Sequence, residues 1–537
     1  MKRNHLAILI AAVFVIAQCT SCTKKLDLKP TNDITAEDVY KTPAGYKQSL
    51  AKVYAAFALT GNQGGTGQPD IPSQIINDEG NSDFLRMYWN LQELTTDEGA
   101  WSWQNDAGIQ GLHEMSWSSI NPIINGLYYR SFFQITLANN FISQASDANL
   151  KSKGFGSADV TDIQKYRAEA RFLRAYQYWV LMDLFANVPF VTDKDQIGTT
   201  IPKQIKRTDL FNYIESELKA LETELVPARG NEYGRADQAA AWALLARMYL
   251  NAEVYTGSAR YTDAITYCNK ILNAGYSLHP DYTQLMLADN NLNTDEFIFT
   301  INYDGTHTQN WGGTTYLVHG PAGVPGKISG SSGSWSGLRL TQNFIALFPD
   351  YSGNTDHRAQ FYTTGQNLIM NDLYTSTDGF STIKFRNVQR DGSPAPNADP
   401  AGNWSDIDFP LFRLGEVYLT YAEAVLRGGS GGDPATALSY VNLVRERAFA
   451  GNPSAGDITA GELTTDFILD ERGRELYYEA VRRTDLIRFN KFTTANYLWA
   501  WKGGVRSGTS AADKYNIYPL PTTDLSSNPN LVQNTGY

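Results

Sequence analysis

Apolar side chains recur at helical spacing along much of the chain and predict a mostly helical protein. Between Lys165 and Phe185 they return every three to four positions, which indicates an amphipathic helix with one face against a core. Two later regions each contain a pair of such segments, joined by a polar or glycine-rich break. The helices of these pairs are expected to begin after Asp237, at Thr262, at Leu414 and after Asp433.

Paired helices of this length resemble tetratricopeptide repeats, although the signature is degenerate. One further helix is predicted from about Asp466 to Tyr478. Segment 275–410 lacks helical periodicity and is rich in Gly, Ser, Asn and Asp, with Phe297–Ile301 as an expected short strand, and 61–117 is its N-terminal counterpart. The predicted fold class is mostly α, a superhelix of tetratricopeptide-like helical pairs with long loop-rich segments and a few short strands.

The N-terminus has the layout of a bacterial lipoprotein signal. Lys2 and Arg3 precede the uncharged apolar run Leu6–Ala17, which is too short to span a bilayer. Cleavage before Cys22 would expose a thiol for lipid attachment, and polar sequence follows it directly. Cys19 fits a small-residue cleavage site less well. The alternative is an ordinary secreted protein cut near residue 17.

The expected organisation is a lipoprotein signal peptide at 1–21, a lipid-anchored tether at 22–40 and a single domain at 41–537. Within the domain, the loops around 61–117 and 275–410 are the candidates for ligand binding, because long loops on a rigid scaffold commonly carry function. With Cys22 lipidated, Cys268 is the one remaining thiol, so a disulfide framework is excluded. Its helical spacing from Ile265 and Leu272 predicts a buried side chain.

Composition favours an uncharged ligand. The 537 residues carry a formal net charge of −11, and loss of Lys2 and Arg3 with the signal brings it to −13. Nucleic acid binding needs a basic surface, so this balance argues against it. Charged residues make up only 19% of the chain while aromatic residues reach 12%. A neutral ligand with apolar faces and many hydroxyl groups suits that balance better than an ion.

Ten of the eleven tryptophans divide by their local sequence. Trp179 and Trp242 lie on apolar helical faces and are expected in the core. Packing is also the favoured interpretation for Trp89, Trp117, Trp404, Trp499 and Trp501. Trp103, Trp311 and Trp335 are flanked by small or polar residues, and each is either a loop anchor or an exposed platform. An exposed indole can stack on the C–H face of a pyranose while amides and carboxylates bond its hydroxyls.

Common catalytic motifs are missing from the sequence. His113-Glu114 is not followed by the second histidine of HExxH, Gly333–Gly337 has Trp where GxSxG has Ser, and no P-loop is present. A carboxylate pair for glycoside hydrolysis is not readable from sequence, because its separation is spatial. In the charged run after Asp470, Glu479 and Arg483 are taken to lie one helical turn apart, in ion pairs that fix helix packing. The sequence thus contains none of these motifs, and a glycoside hydrolase stays an open alternative.

Three stretches resemble the SusD/RagB family of outer-membrane lipoproteins of Bacteroidetes. They are Ser21-Cys22 with the following Leu26-Asp27 and Pro30, Arg472–Phe489, and Tyr518–Pro521 with Asn528–Asn534. Ala480 replaces a glycine common in the family and is expected to be a small change on a helix. The resemblance extends over essentially the whole mature chain and is strongest to a starch-binding member.

The resemblance implies a non-enzymatic binding role on the outer membrane, with the protein lipid-anchored and facing the cell exterior. It implies a SusC-type TonB-dependent transporter as partner and malto-oligosaccharides or another α-1,4-glucan as ligand. An aromatic arc in the family maps onto Trp103, Trp311 and Trp335. Hydrogen-bonding residues map onto Asp78 and Arg86, and onto either Asn105 or Asp106.

A calcium site is a further implication of the resemblance, near Asp289, Asp406 and Asp408. The run Asp289–Asn293 is rich in the oxygen ligands that calcium prefers, although a capped helical turn explains it equally well. No cofactor for catalysis is expected. The alternatives are a family member that binds another polysaccharide, a glycoside hydrolase, and a helical scaffold that binds only protein.

Overall fold

The computed structural model describes residues 36–61, 69–76, 78–195, 198 and 201–537. The predicted signal peptide, Cys19, Cys22 and the tether as far as residue 35 lie outside these residues. Of the helices described, none combines the length and apolar character that a membrane span requires.

Helices dominate the described residues, which confirms the predicted fold class. They are α1 (Ala36–Val39), α2 (Pro43–Ala55), α3 (Phe84–Glu93), α4 (Ile109–His113), α5 (Pro122–Gln144), α6 (Asp147–Lys153), α7 (Ser157–Phe185), α8 (Arg207–Leu221), α9 (Gln238–Leu250), α10 (Ala252–Thr256), α11 (Tyr261–Leu272), α12 (Gly313–His319), α13 (Gly326–Ser329), α14 (Gln342–Ile345), α15 (Leu414–Leu426), α16 (Pro434–Ala448), α17 (Thr465–Leu476), α18 (Arg482–Arg488) and α19 (Thr522–Ser527).

The strands are short and pair two by two, always antiparallel. The pairs are β1 (Ala100–Trp101) with β5 (Leu338–Arg339), β2 (Val188–Phe190) with β3 (Lys203–Ile205), β4 (Phe297–Ile301) with β8 (Phe409–Arg413), and β6 (Phe361–Tyr362) with β7 (Ser381–Thr382). The predicted strand is β4. The β1–β5 pair joins the two loop-rich segments, because Trp101 lies opposite Leu338.

Both predicted helical hairpins form. The Asp237 carboxylate accepts a hydrogen bond from the Ala239 N–H at 2.8 Å and starts α9, which packs against α11. Asp433 likewise accepts from the Thr436 N–H at 2.7 Å and starts α16, which packs against α15. Contacts between α11 and α15 place the two hairpins side by side. Stacked pairs of this kind are the arrangement expected of tetratricopeptide-like units.

Most of the predicted core positions are confirmed. Trp179 and Cys268 are buried, as are Trp89, Trp117 and Trp499. Trp242 differs from its prediction and is only half-buried, because its indole N–H donates to Glu222 (3.3 Å) at the margin of the helix pair.

Segment 275–410 contains a buried helix, α12, that the sequence does not reveal. Every residue of α12 is buried. A helix that is enclosed on all sides needs no polar face, so it lacks the amphipathic periodicity by which surface helices are recognised.

A buried ion-pair network holds the last helices to this segment. The Arg413 guanidinium, at the end of β8, donates to Glu296 at 2.9 Å, Glu475 at 2.5 Å and Glu479 at 2.7 Å. Arg447 of α16 pairs with Glu296 and Glu475. All of these side chains are at most 4% exposed. The charged run around Asp470 therefore has the structural role predicted for it.

The predicted pairing of Glu479 with Arg483 is wrong. Helix α17 ends at Leu476, and Tyr478 and Ala480 have positive φ angles of 64° and 61°. Glu479 points to Arg413 and to Lys384, at 2.7 Å each. Ala480 is thus not on a helix but in the left-handed region that favours glycine.

Replacing Glu475 by Gln tests the network. Burial raises the pKa of this carboxyl, but Arg447, Arg413 and Arg358 outweigh it and lower the pKa to about 2, from an ordinary value of 4.5. At pH values above the ordinary pKa of 4.5, ionised Glu475 therefore stabilises the fold. This stabilisation is lost as the pH falls towards the pKa of the folded state. We expect Glu475→Gln to lower the free energy of unfolding by about 3–5 kcal/mol near pH 7, measured by urea denaturation.

The difference in free energy of unfolding between the wild type and Glu475→Gln should shrink as the pH falls from about 5 to about 3, because Glu475 of the wild type becomes protonated. Asp162→Asn, which breaks the exposed pair with Lys165, is the matched control and should change stability by less than about 1 kcal/mol. An equal effect of the two substitutions would contradict the role of the network.

Ala480→Gly should stabilise the protein by about 1 kcal/mol, because glycine adopts a positive φ without the strain that a Cβ imposes. Thermal or urea unfolding measures the change. Ala437→Gly, within α16, is the control and should destabilise by about the same amount or more. Destabilisation by both substitutions would argue that the Ala480 backbone is not strained.

Candidate functional site

The seven residues predicted to contact a ligand line one cavity of about 470 Å³. They come from the loop before α3, from α3 itself, from the turn after β1 and from the loops on either side of α12. We name this space the aromatic cavity and define it by Trp101, Trp103, Trp311, Tyr316 and Trp335. The described fold thus brings together every predicted binding residue, although they lie as much as 257 positions apart, from Asp78 to Trp335.

The aromatic rings form a continuous series around the cavity. Trp103 is 45% exposed, and its ring centroid lies 5.3 Å from that of Trp101, which in turn lies 5.2 Å from Tyr316. From Tyr316 the series continues to Trp335 at 6.4 Å and then to Trp311 at 6.1 Å. The rings are tilted against one another, as aromatic contacts prefer. Trp101 and Tyr316 are buried and link the accessible rings of Trp103, Trp335 and Trp311.

Asp83 positions the Trp311 loop. Its carboxylate oxygen Oδ1 caps α3 by accepting from the Arg86 N–H at 2.7 Å, and it also accepts from the Gly313 N–H at 2.9 Å. A Cβ on Gly312 would lie 2.2 Å from the Asp83 side chain, so only glycine allows this close approach. Burial raises the pKa of Asp83 to about 6.

Trp311 is supported from behind by a second indole. The Trp404 ring centroid lies 4.3 Å from that of Trp311. Trp404 was expected to pack, and it is half-buried in that role. The Trp311 loop is therefore held by Asp83 through the Gly313 N–H, and the Trp311 ring packs on Trp404.

Trp335 is held by stacking on histidine. The His319 and Trp335 ring centroids are 4.9 Å apart and the rings are nearly parallel, at 14°, while the Trp335 backbone N–H donates to the His319 carbonyl at 2.7 Å. Burial lowers the pKa of His319, and its two ring nitrogens lie 2.7 Å from the Gly333 carbonyl and 3.0 Å from the Asn403 carbonyl, which hold the ring in place. Gly337 lies against the Trp101 ring, where a Cβ would come within 2.2 Å. Trp335 and Trp311 are half-buried, so each is both an anchor of its loop and part of the cavity wall.

The polar members of the site lie beside these rings. The Arg86 guanidinium lies 4.8 Å from the Tyr316 ring centroid and donates to the Trp311 carbonyl at 3.3 Å. Asp78 is exposed and accepts from the Gly80 N–H at 2.8 Å. Among the described residues, its carboxylate accepts no other hydrogen bond.

Asn105 and Asp106 both line the cavity but differ in their bonding. Asp106 accepts from the Trp101 indole N–H at 2.8 Å and so fixes that ring. Asn105 is exposed at the surface. Asp106 therefore positions Trp101, while the Asn105 side chain lies exposed beside the cavity.

Four polar or aromatic lining residues were not predicted from the sequence: Asn81, Asn90, Trp101 and Tyr316. Asn90 lies one helical turn after Arg86 on α3, a spacing that places both on one face. The spacing of Asn90 from Arg86 could therefore have indicated that Asn90 faces the site. Tyr316 could not be found in this way, because it belongs to α12, which has no amphipathic pattern.

The three aspartates of the calcium prediction have other partners. Asp289 forms an ion pair with Arg390 at 2.8 Å, Asp406 accepts from the Asn397 N–H at 2.8 Å, and Asp408 accepts from the Tyr303 N–H at 2.8 Å. Within the described ranges, no cluster of three or more acidic, histidine or cysteine side chains could hold a metal ion. The pairing of Asp289 with Arg390 argues against it as a ligand, and the calcium site stays a prediction.

The cavity combines stacking surface with hydrogen-bonding groups. Among the described residues, the lining includes Arg86, two carboxylates and three asparagines, and no histidine or cysteine. Each hydrogen bond to a ligand replaces one to water and nets only about 0.5–1.5 kcal/mol. A flat ligand with an apolar face and several hydroxyl groups would use both kinds of contact at once.

Comparison with known proteins places this helical-repeat scaffold in a family. The profile described as "SusD family" matches residues 369–537, and that described as "Starch-binding associating with outer membrane" matches 27–250. The chain is 36% identical to the starch-binding protein SusD of Bacteroides thetaiotaomicron, with 100% of both chains covered. It is 26% identical to SusD-like protein P2 of Formosa agariphila, over 80% of this chain and 85% of that protein. The chain belongs to the SusD family, as the sequence resemblance implied.

Solved structures share the fold. Surface glycan-binding protein A from Bacteroides fluxus superposes with a TM-score of 0.69 at 21% identity, covering 92% of this chain and 100% of that one. Surface glycan-binding protein A from Bacteroides thetaiotaomicron, in complex with laminarihexaose, superposes with a TM-score of 0.65 at 20% identity, covering 91% of this chain and 99% of that one.

Replacing Asp83 by Ala should loosen the Trp311 loop. The variant loses the cap of α3, worth about 0.5–2 kcal/mol, and the bond to Gly313. We expect lower stability in urea denaturation and greater quenching of tryptophan fluorescence by acrylamide. Asp433→Ala removes a comparable cap from α16 and is the control. It should lower stability without changing the quenching, and equal quenching in both variants would contradict the role of Asp83.

Proposed function

We propose that this protein is a cell-surface glycan-binding lipoprotein that captures starch-like α-1,4-glucans and performs no chemistry on them. The observation that carries the proposal is the aromatic cavity, in which all seven expected binding residues meet. Stacking of sugar rings on Trp103, Trp311 and Trp335 would supply most of the binding free energy, and Asp78, Arg86 and Asn105 would orient the hydroxyl groups.

The choice of an α-glucan is supported by the 36% identity to starch-binding SusD over the full chain. A helical α-glucan is curved, and rings tilted against one another suit a curved ligand better than a flat one. Weak contacts repeated along a polymer add through multivalency. Captured malto-oligosaccharides would pass to a SusC-type TonB-dependent transporter, with the protein held on the outer membrane by lipid on Cys22, facing the cell exterior. The family description "associating with outer membrane" supports this location.

A second candidate is a β-glucan. The surface glycan-binding protein A that shares the fold was solved with laminarihexaose, and the ring series by itself does not select one glucan linkage. This alternative keeps the same cavity and the same tryptophans.

Affinity electrophoresis tests the assignment. We expect migration of the wild type to be retarded in native gels that contain amylopectin, and less so in gels that contain laminarin. Trp103→Ala, Trp311→Ala and Trp335→Ala should each weaken binding by about tenfold, equivalent to about 1.4 kcal/mol. Trp242→Ala, which removes a half-buried indole outside the cavity, is the matched control and should be retarded like the wild type.

Retardation by laminarin alone would favour the second candidate. Unretarded migration in both gels would contradict glycan binding and favour a scaffold that binds only protein. Release of reducing sugar from amylopectin, abolished by a single Asp or Glu substitution, would overturn the non-enzymatic assignment.

A further inference from the structure

Asn90 is a buried polar residue that lines the aromatic cavity and has no assigned role. Its side chain is 2% exposed, and its carboxamide oxygen Oδ1 has no hydrogen-bond partner among the described residues. Buried amide groups are nearly always paired, because leaving one unpaired forfeits the hydrogen bond it made to water. An unpaired amide beside a cavity therefore points to a partner that enters the cavity.

The surroundings of Asn90 indicate what that partner is. Arg86 lies one turn earlier on α3, and its Nε is also buried without a partner among the residues described. The apolar side chains of Ile109 and Ile123 line the same cavity. The site thus combines an amide, a guanidinium N–H and aliphatic surface. A short arm with an apolar stem and a hydroxyl tip matches this set of groups.

We propose that Asn90 is a specificity-determining residue that binds the hydroxymethyl group of a hexopyranose. This inference rests on the proposed glucan-binding function and deepens it. When the ring face stacks on the exposed tryptophans, the hydroxyl groups attached directly to the ring stay close to its plane. The hydroxymethyl group alone extends from the ring on a rotatable C–C bond. It can therefore reach a buried group, with its methylene against aliphatic side chains and its hydroxyl on the Asn90 amide.

The consequence is discrimination between sugars. A site whose buried amide is satisfied by a ligand hydroxyl rejects an analogue that lacks it, because the amide is then left unpaired. The protein would favour hexose polymers over sugars without this hydroxyl, such as pentopyranose or 6-deoxy sugars. Stacking on the tryptophans cannot provide this selection, since it depends on the ring face alone.

The test compares maltoheptaose with 6-deoxygenated maltoheptaose by isothermal titration calorimetry on the mature chain. We expect the wild type to bind the deoxygenated ligand about tenfold more weakly. Asn90→Leu, close in shape, and Asn90→Ala, which cannot clash, should bind maltoheptaose about tenfold more weakly than the wild type. Both variants should bind the two ligands almost equally.

Asn125→Leu is the matched control, because Asn125 also has an unpartnered side-chain oxygen among the described residues but does not line the cavity. It should keep the wild-type affinities and the wild-type penalty for deoxygenation.

If the Asn90 variants retain the full penalty for deoxygenation, the inference is wrong and the proposed function stands. If the wild type discriminates between the two ligands by less than about twofold, well short of the change expected for one hydrogen bond, the inference is wrong as well. If the wild type does not bind maltoheptaose, both this inference and the proposed function are wrong.

Discussion

The buried ion-pair network around Arg413 is the interaction on which the described fold most depends. Charges removed from water are tolerated only when each has partners in good geometry, so such a network fixes the relative positions of the elements that supply it. Arg413 comes from the end of β8, Arg447 from α16 and Glu475 from α17. The network therefore ties β8, α16 and α17 to one another and to Glu296, which comes directly before β4.

A few contacts connect the ion-pair network around Arg413 to the aromatic cavity. Glu479 holds the irregular turn after α17, and the carbonyl of the adjacent Tyr478 accepts from the Trp89 indole N–H at 3.1 Å. The Trp89 ring centroid lies 5.7 Å from that of Tyr316, a wall of the cavity. Strain at positive φ is tolerated in this turn because the surrounding bonds determine it. The network and the cavity are thus parts of one packed structure.

Much of the scaffold was predictable because it depends on local rules. The hairpin helices, their aspartate caps and strand β4 follow from periodicity and capping. The left-handed turn at Tyr478 and Ala480 was not predictable in this way, since its conformation is imposed by Glu479, Lys384 and Arg413. Helix α12 was not predicted for a different reason. It is buried on all sides, so its sequence lacks the amphipathic periodicity that identifies surface helices. The candidate site residues came from family resemblance, whereas local sequence left the three loop tryptophans undecided.

The amino-acid sequence alone establishes the helical class of the fold, its surplus of negative charge and aromatic side chains, and which tryptophans lack neighbours to bury them. Packing of distant segments places Trp103, Trp311 and Trp335 in one cavity, because the β1–β5 pair and the Asp83 bridge bring their loops together. It also distinguishes between polar residues that local sequence leaves equivalent: Asp106 is bonded to an indole, while the Asn90 amide oxygen has no partner among the described residues. Such differences depend on contacts between residues far apart in the chain, and no local pattern encodes them.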